Sequence, residues 1–281
     1  MTPEPAPIDR ETGKFSPAGT YYDEAGSGET VLFLHGSGPG VSGWSNFSGN
    51  FDVFAEKFHT LVPDMPGFGR SKWVDLDRIY PEIAAEQMVR FMDEVGVDKA
   101  HLVGNSMGGY VAVQMALEFP DRVNRMALMG PGGLAAPLFL PFQSEGSRRL
   151  FDFFANPCNE TMEGWVDTMV GNRAVVTEEL IEARTQRALQ PGMIDQAKRI
   201  FASMGEHAAK HTAPWKRATE IGHETLIIWG RDDRMLPYEQ AHFAFRQLPN
   251  AEMTVFSNCG HWAMIEQKEA FERVVIEYFT R

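Results

Sequence analysis

Short apolar runs recur along the chain and alternate with stretches of helical spacing. Residues 31–35 (VLFLH) form such a run, which ends in the turn His35-Gly36-Ser37-Gly38-Pro39-Gly40. Runs at 59–64, 101–104, 123–129, 225–229 and 252–256 repeat the pattern. Unbroken apolar runs this short are expected of strands buried on both faces. Residues 81–95 instead place Ile83, Ala84, Met88, Phe91 and Val95 on one helical face, with Pro81 suited to a first turn and Gly96 to a stop. Further helices are expected at 107–119, 238–248 and 268–279. Strands alternating with helices predict an α/β protein with a mostly parallel sheet covered by helices on both faces.

That alternation breaks from about residue 134 to 205. No strand pattern occurs there, and helices are expected at 148–154, 162–170 and 177–189. Thr177 followed by Glu178, Glu179 and Leu180 is a cap with acids in the first turn. The block reads as a helical lid (134–205) inserted into an α/β core (15–133 and 206–281). Residues 1–14, rich in proline and charge, read as a loose tail.

Composition narrows the function classes. The 281 residues carry 26 basic and 38 acidic side chains, a formal charge of −12. With no basic run, neither nucleic acid nor an anionic membrane surface is an expected partner. No apolar run approaches a membrane span, and the N-terminal stretch has no signal-peptide pattern. The two cysteines, Cys158 and Cys259, form no metal or redox motif. A cytoplasmic protein is expected. His207 and His211 stand four apart on what reads as a helix, but no third ligand accompanies them, so no metal is expected.

The chemistry centres on Gly104-Asn105-Ser106-Met107-Gly108, between a predicted strand and a predicted helix. This is the context of a G-x-S-x-G nucleophile elbow, which points to the α/β-hydrolase fold. Small flanking residues permit the tight turn, and the helix start favours negative charge beside Ser106. A serine hydroxyl needs a base. Of eight histidines, His261 stands out, in a loop after the last strand. An acid to orient it is expected at Asp232 or Asp233, just past the strand at 225–229. The order Ser, Asp, His is that of this fold. An oxyanion hole needs two backbone donors. Met107 supplies one, and Ser37 or the adjacent Gly38 the other.

Four segments together resemble the meta-cleavage-product hydrolases: HGSGPGVSGWSNF (35–47), GNSMGG (104–109), GHW (260–262) and EELIEAR (178–184). The resemblance runs from about residue 22 to 279. Family spacing, an acid four residues before Pro237, selects Asp233. The resemblance implies a 2-hydroxy-6-oxo-hexa-2,4-dienoate substrate and hydrolysis of a carbon–carbon bond. It implies that Arg184 takes the substrate carboxylate, that Asn46 and Asn105 hold the carboxylate and 2-oxo end, and that Trp262 lies against the dienoate. The group beyond C6 is expected in an apolar pocket from Leu150, Met169, Met235 and Leu236. No cofactor is implied, and a homo-oligomer is expected because many relatives self-associate. Ser37 departs from the HGGGPG of many relatives but keeps the backbone donor. Two other readings fit the same fold: a carboxylesterase or lactonase, and a binding protein that has lost catalysis. An intact triad opposes the second.

Overall fold

A computed structural model describes residues 12–135 and 143–281. Most of the expected tail, 1–11, and the lid residues 136–142 lie outside the described residues. Eight strands form one sheet: β1 (Lys14–Phe15), β2 (Tyr21–Ala25), β3 (Thr30–Leu34), β4 (His59–Pro63), β5 (Ala100–Asn105), β6 (Val123–Met129), β7 (Thr225–Gly230) and β8 (Ala251–Phe256). Their order is β1-β2-β4-β3-β5-β6-β7-β8. The β1–β2 and β2–β4 pairs are antiparallel and all others parallel. The six expected strands are β3 to β8. The apolar runs do not announce β1 and β2, which form the antiparallel edge. Lys14, assigned above to the tail, pairs with Tyr22.

Period-two alternation explains why the central strands are apolar throughout. Leu32 and Leu34 of β3, Leu102 of β5, Met126 and Leu128 of β6, and Ile227 and Trp229 of β7 enter one core. Their neighbours Val31, Phe33, Val103, Ala127, Met129, Leu226 and Ile228 enter the other. Each face needs apolar cover because both are closed by helices. On the first lie α2 (Tyr80–Glu94) and α3 (Met107–Glu118), and on the second α1 (Gly43–Ala55). Helix α1 was not foreseen. Its opening residues, Gly43, Trp44, Ser45 and Asn46, hide the helical stripe, yet Ser42 and Ser45 cap it reciprocally.

Between β6 and β7 stand α4 (Glu145–Ala155), α5 (Asn159–Met169), α6 (Glu178–Ala188) and α7 (Met193–Glu206). Three were expected, and Thr177 caps α6 through the Leu180 N–H as read. The fourth, α7, was missed. Leu150, Phe153, Met162, Trp165, Val166, Met169 and Ile181 of the insertion join the same apolar cluster as the second sheet face. The chain closes with α8 (Glu239–Gln247), α9 (Ala263–Glu266) and α10 (Lys268–Phe279). No helix among the described residues is long and apolar enough to cross a membrane.

The start of α3 lies against the end of β3. A Cβ on Gly108 would sit 2.0 Å from the Leu34 carbonyl oxygen and 2.6 Å from that of His35. Gly205, inside α7, has nothing within 4 Å of such a Cβ. We therefore expect Gly108→Ala to lower the thermal midpoint, costing about 1–3 kcal/mol or more for overpacking against fixed backbone. Gly205→Ala should raise it, by roughly 0.5–1 kcal/mol of helix propensity. Thermal unfolding of the two variants checks this, and equal effects would contradict the packing argument.

Candidate active site

Four turns at the C-terminal edge of the sheet converge. Between β5 and α3, Ser106 has φ 55° and ψ −113°, a left-handed conformation that is strained for a residue with a side chain. Its backbone is tied on both sides. The Ser106 N–H donates to the Met129 carbonyl at 2.9 Å, and the Ser106 carbonyl accepts from Tyr110 at 3.0 Å and Gly132 at 2.9 Å. A Cβ on Gly104 would meet Gly108 and Gly109 backbone at 2.7 Å, so the turn closes only on small residues.

His261 follows β8 and Asp233 follows β7. His261 Nδ1 lies 2.7 Å from Asp233 Oδ2, with both side chains almost fully buried. Asp233 Oδ1 also accepts the Met235 and Leu236 N–H groups, each at 2.8 Å. Asp232 instead points outward, its side chain 40% exposed and paired with Arg231 at 3.2 Å. His261 Nε2 is buried and has no hydrogen-bond partner among the described residues.

The turn after β3 carries Ser37 and Gly38. It is held by His35, fully buried beneath it. The Met65 N–H donates to His35 Nε2 at 2.8 Å, which leaves Nδ1 to donate to the Gly36 carbonyl at 2.6 Å. That pair of bonds requires the neutral ring, and burial pushes its pKa down to about 4.

One cavity, with an empty volume of about 360 Å3, joins these turns to the insertion. Its lining includes Ser37, Gly38, Asn46, Asn105, Ser106, Leu150, Met169, Arg184, Met235, His261 and Trp262. Met107, whose backbone was singled out, opens α3 directly after Ser106. Asn46 comes from α1, and its Nδ2 is buried without a partner among the described residues. Asn105 donates to the His261 carbonyl at 3.2 Å.

Arg184, from α6, is 1% exposed. Its Nη1 donates to the Pro39 carbonyl at 3.3 Å, and its Nε has no partner among the described residues. The guanidinium lies 4.5 Å from the Trp262 ring centre and 5.8 Å from that of Trp165. No carboxylate among the described residues pairs with it. Burial, then the neighbouring charge of Arg187, pull its pKa down to about 9. It remains a cation at neutral pH.

Two expectations need correction. Leu236 is not part of the lining. Its carbonyl accepts from Trp229 Nε1 at 2.9 Å, and its side chain packs against the core on the other sheet face. Met235 and Leu236 are adjacent in a bend, where Met235 packs with the core that borders the cavity and Leu236 with the other. His207 and His211 do not share a helix, because α7 ends at Glu206. His211 instead bridges Glu82 at 2.5 Å and the Tyr110 hydroxyl at 2.9 Å. No cluster fit for a metal occurs among the described residues.

Sequence reading missed Val41 and Trp165, which also line the cavity. Trp165 shares a helical stripe with Met162 and Met169, a pattern that signals only a packed helix. It packs edge-on against Trp262, 5.9 Å between ring centres and 74° between planes, and its Nε1 is buried without a partner. Asn46, Trp165, Arg184 and His261 thus bring four unpartnered polar nitrogens to one apolar-walled cavity.

A family model describing the α/β hydrolase fold matches residues 29–268. A 2-hydroxy-6-oxo-6-phenylhexa-2,4-dienoate hydrolase of Burkholderia cepacia is 38% identical over 92% of this chain and 91% of its own. A 2-hydroxy-6-oxononadienedioate/2-hydroxy-6-oxononatrienedioate hydrolase of Comamonas testosteroni is 36% identical over 92% and 91%. The solved 2-hydroxy-6-oxo-6-phenylhexa-2,4-dienoate hydrolase of a Rhodococcus species superposes with a TM-score of 0.86 at 30% identity, covering 96% of this chain and 98% of that one. By fold and by these relatives alike, the chain belongs to the meta-cleavage-product hydrolases of the α/β-hydrolase fold.

Proposed function

We propose that this enzyme adds water across the C5–C6 bond of a 2-hydroxy-6-oxo-hexa-2,4-dienoate, releasing 2-hydroxypenta-2,4-dienoate and a carboxylic acid. The observation that carries the proposal is Arg184, a buried guanidinium with no carboxylate partner, in the cavity that also holds Ser106 and His261. A buried cation without a counter-charge is costly to the fold. A substrate carboxylate offsets that cost, and a neutral ester does not.

In this reading the carboxylate lies against Arg184, flanked by Trp262 and Asn46. The dienol first gives up its hydroxyl proton and takes one up at C5, becoming a ketone, so electrons from the breaking bond have a sink. His261, oriented by Asp233, moves protons in both stages. Ser106 attacks the C6 carbonyl or assists water there, while the Ser37 or Gly38 and Met107 N–H groups face the developing oxyanion. No cofactor enters the scheme. Leu150, Trp165, Met169 and Met235 give the remaining wall an apolar character. Arg184 is the only Lys or Arg in the lining among the described residues, and residues 136–142 contain no charged side chain. An uncharged C6 group such as phenyl suits this wall better than a second carboxylate.

The reading also takes the protein to be a cytoplasmic homo-oligomer. Its free thiols Cys158 and Cys259 suit a reducing compartment. Phe245 on α8 and Val255 on β8 are exposed apolar side chains at one end of the sheet. Light scattering is expected to return a dimer mass or larger, and a monomer at micromolar concentration would remove that part.

The decisive assay is optical, because the dienoate chromophore is lost on cleavage. The protein is expected to bleach 6-phenyl and 6-methyl dienoates far faster than it hydrolyses p-nitrophenyl acetate, with Ser106→Ala abolishing turnover. Ester hydrolysis without bleaching would transfer the function to the esterase reading. Arg184→Met separates binding from folding. It should reduce kcat/KM by on the order of 2–4 kcal/mol, about thirtyfold or more. Its thermal midpoint should nevertheless rise, since replacing a buried charge by an apolar chain stabilises by about 1–4 kcal/mol. An unchanged kcat/KM would show that the guanidinium does not meet the substrate.

A further inference from the structure

Glu266 ends α9, five residues after His261, and has no part in the chemistry above. It is partly buried and accepts three backbone N–H groups. Oε1 takes Gly260 at 2.8 Å, while Oε2 takes Gly171 at 2.7 Å and Asn172 at 2.8 Å. Gly260 immediately precedes His261. Gly171 and Asn172 follow α5, whose last residue, Met169, lines the cavity. One carboxylate therefore joins the loop that carries the base to the segment that forms a pocket wall.

The two backbones touch along this seam. The His261 N–H donates to the Met169 carbonyl at 2.7 Å. A Cβ on Gly260 would lie 2.6 Å from that same carbonyl oxygen, and one on Gly171 would lie 2.8 Å from Cys259 backbone. Contact this close brings the Gly260, Gly171 and Asn172 N–H groups together, with no other acceptor for them among the described residues. An ionised carboxylate is the strongest acceptor available for such a set. Burial, with Asp233 nearby, pushes the Glu266 pKa up, and the three donors oppose that shift.

We propose that Glu266 is a positioning residue: by gripping both sides of the seam it fixes the His261 ring, paired with Asp233, in the cavity that Ser106 also lines. The inference rests on His261 as the base and does not depend on the dienoate as substrate. The Glu266 side chain bonds to neither Arg184 nor Trp262, whose carbonyl takes only the Glu266 backbone N–H at 3.0 Å, so exchanging the side chain leaves the Arg184 end of the cavity untouched.

Glu266→Gln is the test, because the two side chains have nearly the same shape. Either orientation of the amide places its NH2 against at least one of the three backbone N–H groups. The expected result is a fall of about threefold or more in kcat with KM little changed, since small misplacements of a reacting group cost up to about a hundredfold. Labelling of Ser106 by a fluorophosphonate, which requires the base but no dienoate, should slow in parallel. Both are measured well below the thermal midpoint of the variant, where a purely structural loss leaves the rates of folded protein intact. A kcat and labelling rate that both fall less than about threefold would overturn the proposal, whatever happens to the midpoint. If wild-type protein labels but does not bleach dienoates, the substrate reading fails and the labelling comparison still decides the role of Glu266.

Discussion

The turn at Ser106 is the constraint on which the surrounding geometry rests. A strand must become a helix within one residue, and that residue keeps its side chain at φ 55°. Such strain costs about 1–3 kcal/mol and persists only where neighbours over-determine it. Here the neighbours are specific. Gly108 lets α3 start against the β3 carbonyls, and the Ser106 carbonyl receives two N–H groups. The Ser106 N–H reaches over to the end of β6. The next residue there, Gly130, lies against both His261 and Asp233, since a Cβ on it would come within 3.1 Å of the ring and 3.3 Å of Asp233 Oδ2. The turns after β3, β5, β6, β7 and β8 are thus in mutual contact, and none moves alone.

Within that frame the charges are treated unequally. Asp233 is satisfied by His261 and two backbone N–H groups, which use both of its oxygens. Arg184 has one carbonyl and two aromatic faces. Aromatic faces partly replace the lost hydration of a guanidinium but bring no counter-charge. The cavity is therefore complete at its acid end and open to an anion at its basic end. In the proposed reading, this polarity receives the substrate carboxylate at Arg184 while the reacting carbonyl meets Ser106.

The parts legible in the sequence were those that a local pattern dictates. Strands β3 to β7 declare themselves because burial on both faces leaves few polar positions, whereas the partly exposed edge strand β8 is marked by Met253, Val255 and Phe256. The elbow declares itself because only glycine fits at 104, 108 and 109. The antiparallel strand β2, reading YYDEA, has no such run. Arg184 was legible only through resemblance, since an arginine in an amphipathic helix otherwise signals a solvated face, and this one is buried. The misplacement of Leu236 has a simple origin. Spacing in a turn does not give side-chain direction, and two adjacent residues face opposite ways. Glu266 left no trace at all, because its three donors are backbone groups, which have no letter in the chain, and two of them lie 95 and 94 residues away.

The same seam bears on how such a site changes its preference. Leu150, Trp165 and Met169 belong to the insertion, whereas Ser106, Asp233 and His261 sit on core turns. On that division alone, the wall would vary freely around a fixed centre. The Met169 carbonyl contradicts it, since it accepts the N–H of His261. The Met169 side chain faces the cavity and its backbone holds the base. Changes of side chain at 169 alter the volume offered to the substrate, and methionine is well suited to adapt to it. A change that shifts the backbone of α5 displaces His261 as well. Wall and base are joined through peptide groups, so the shape of the pocket is adjustable by substitution and much less so by movement of the insertion.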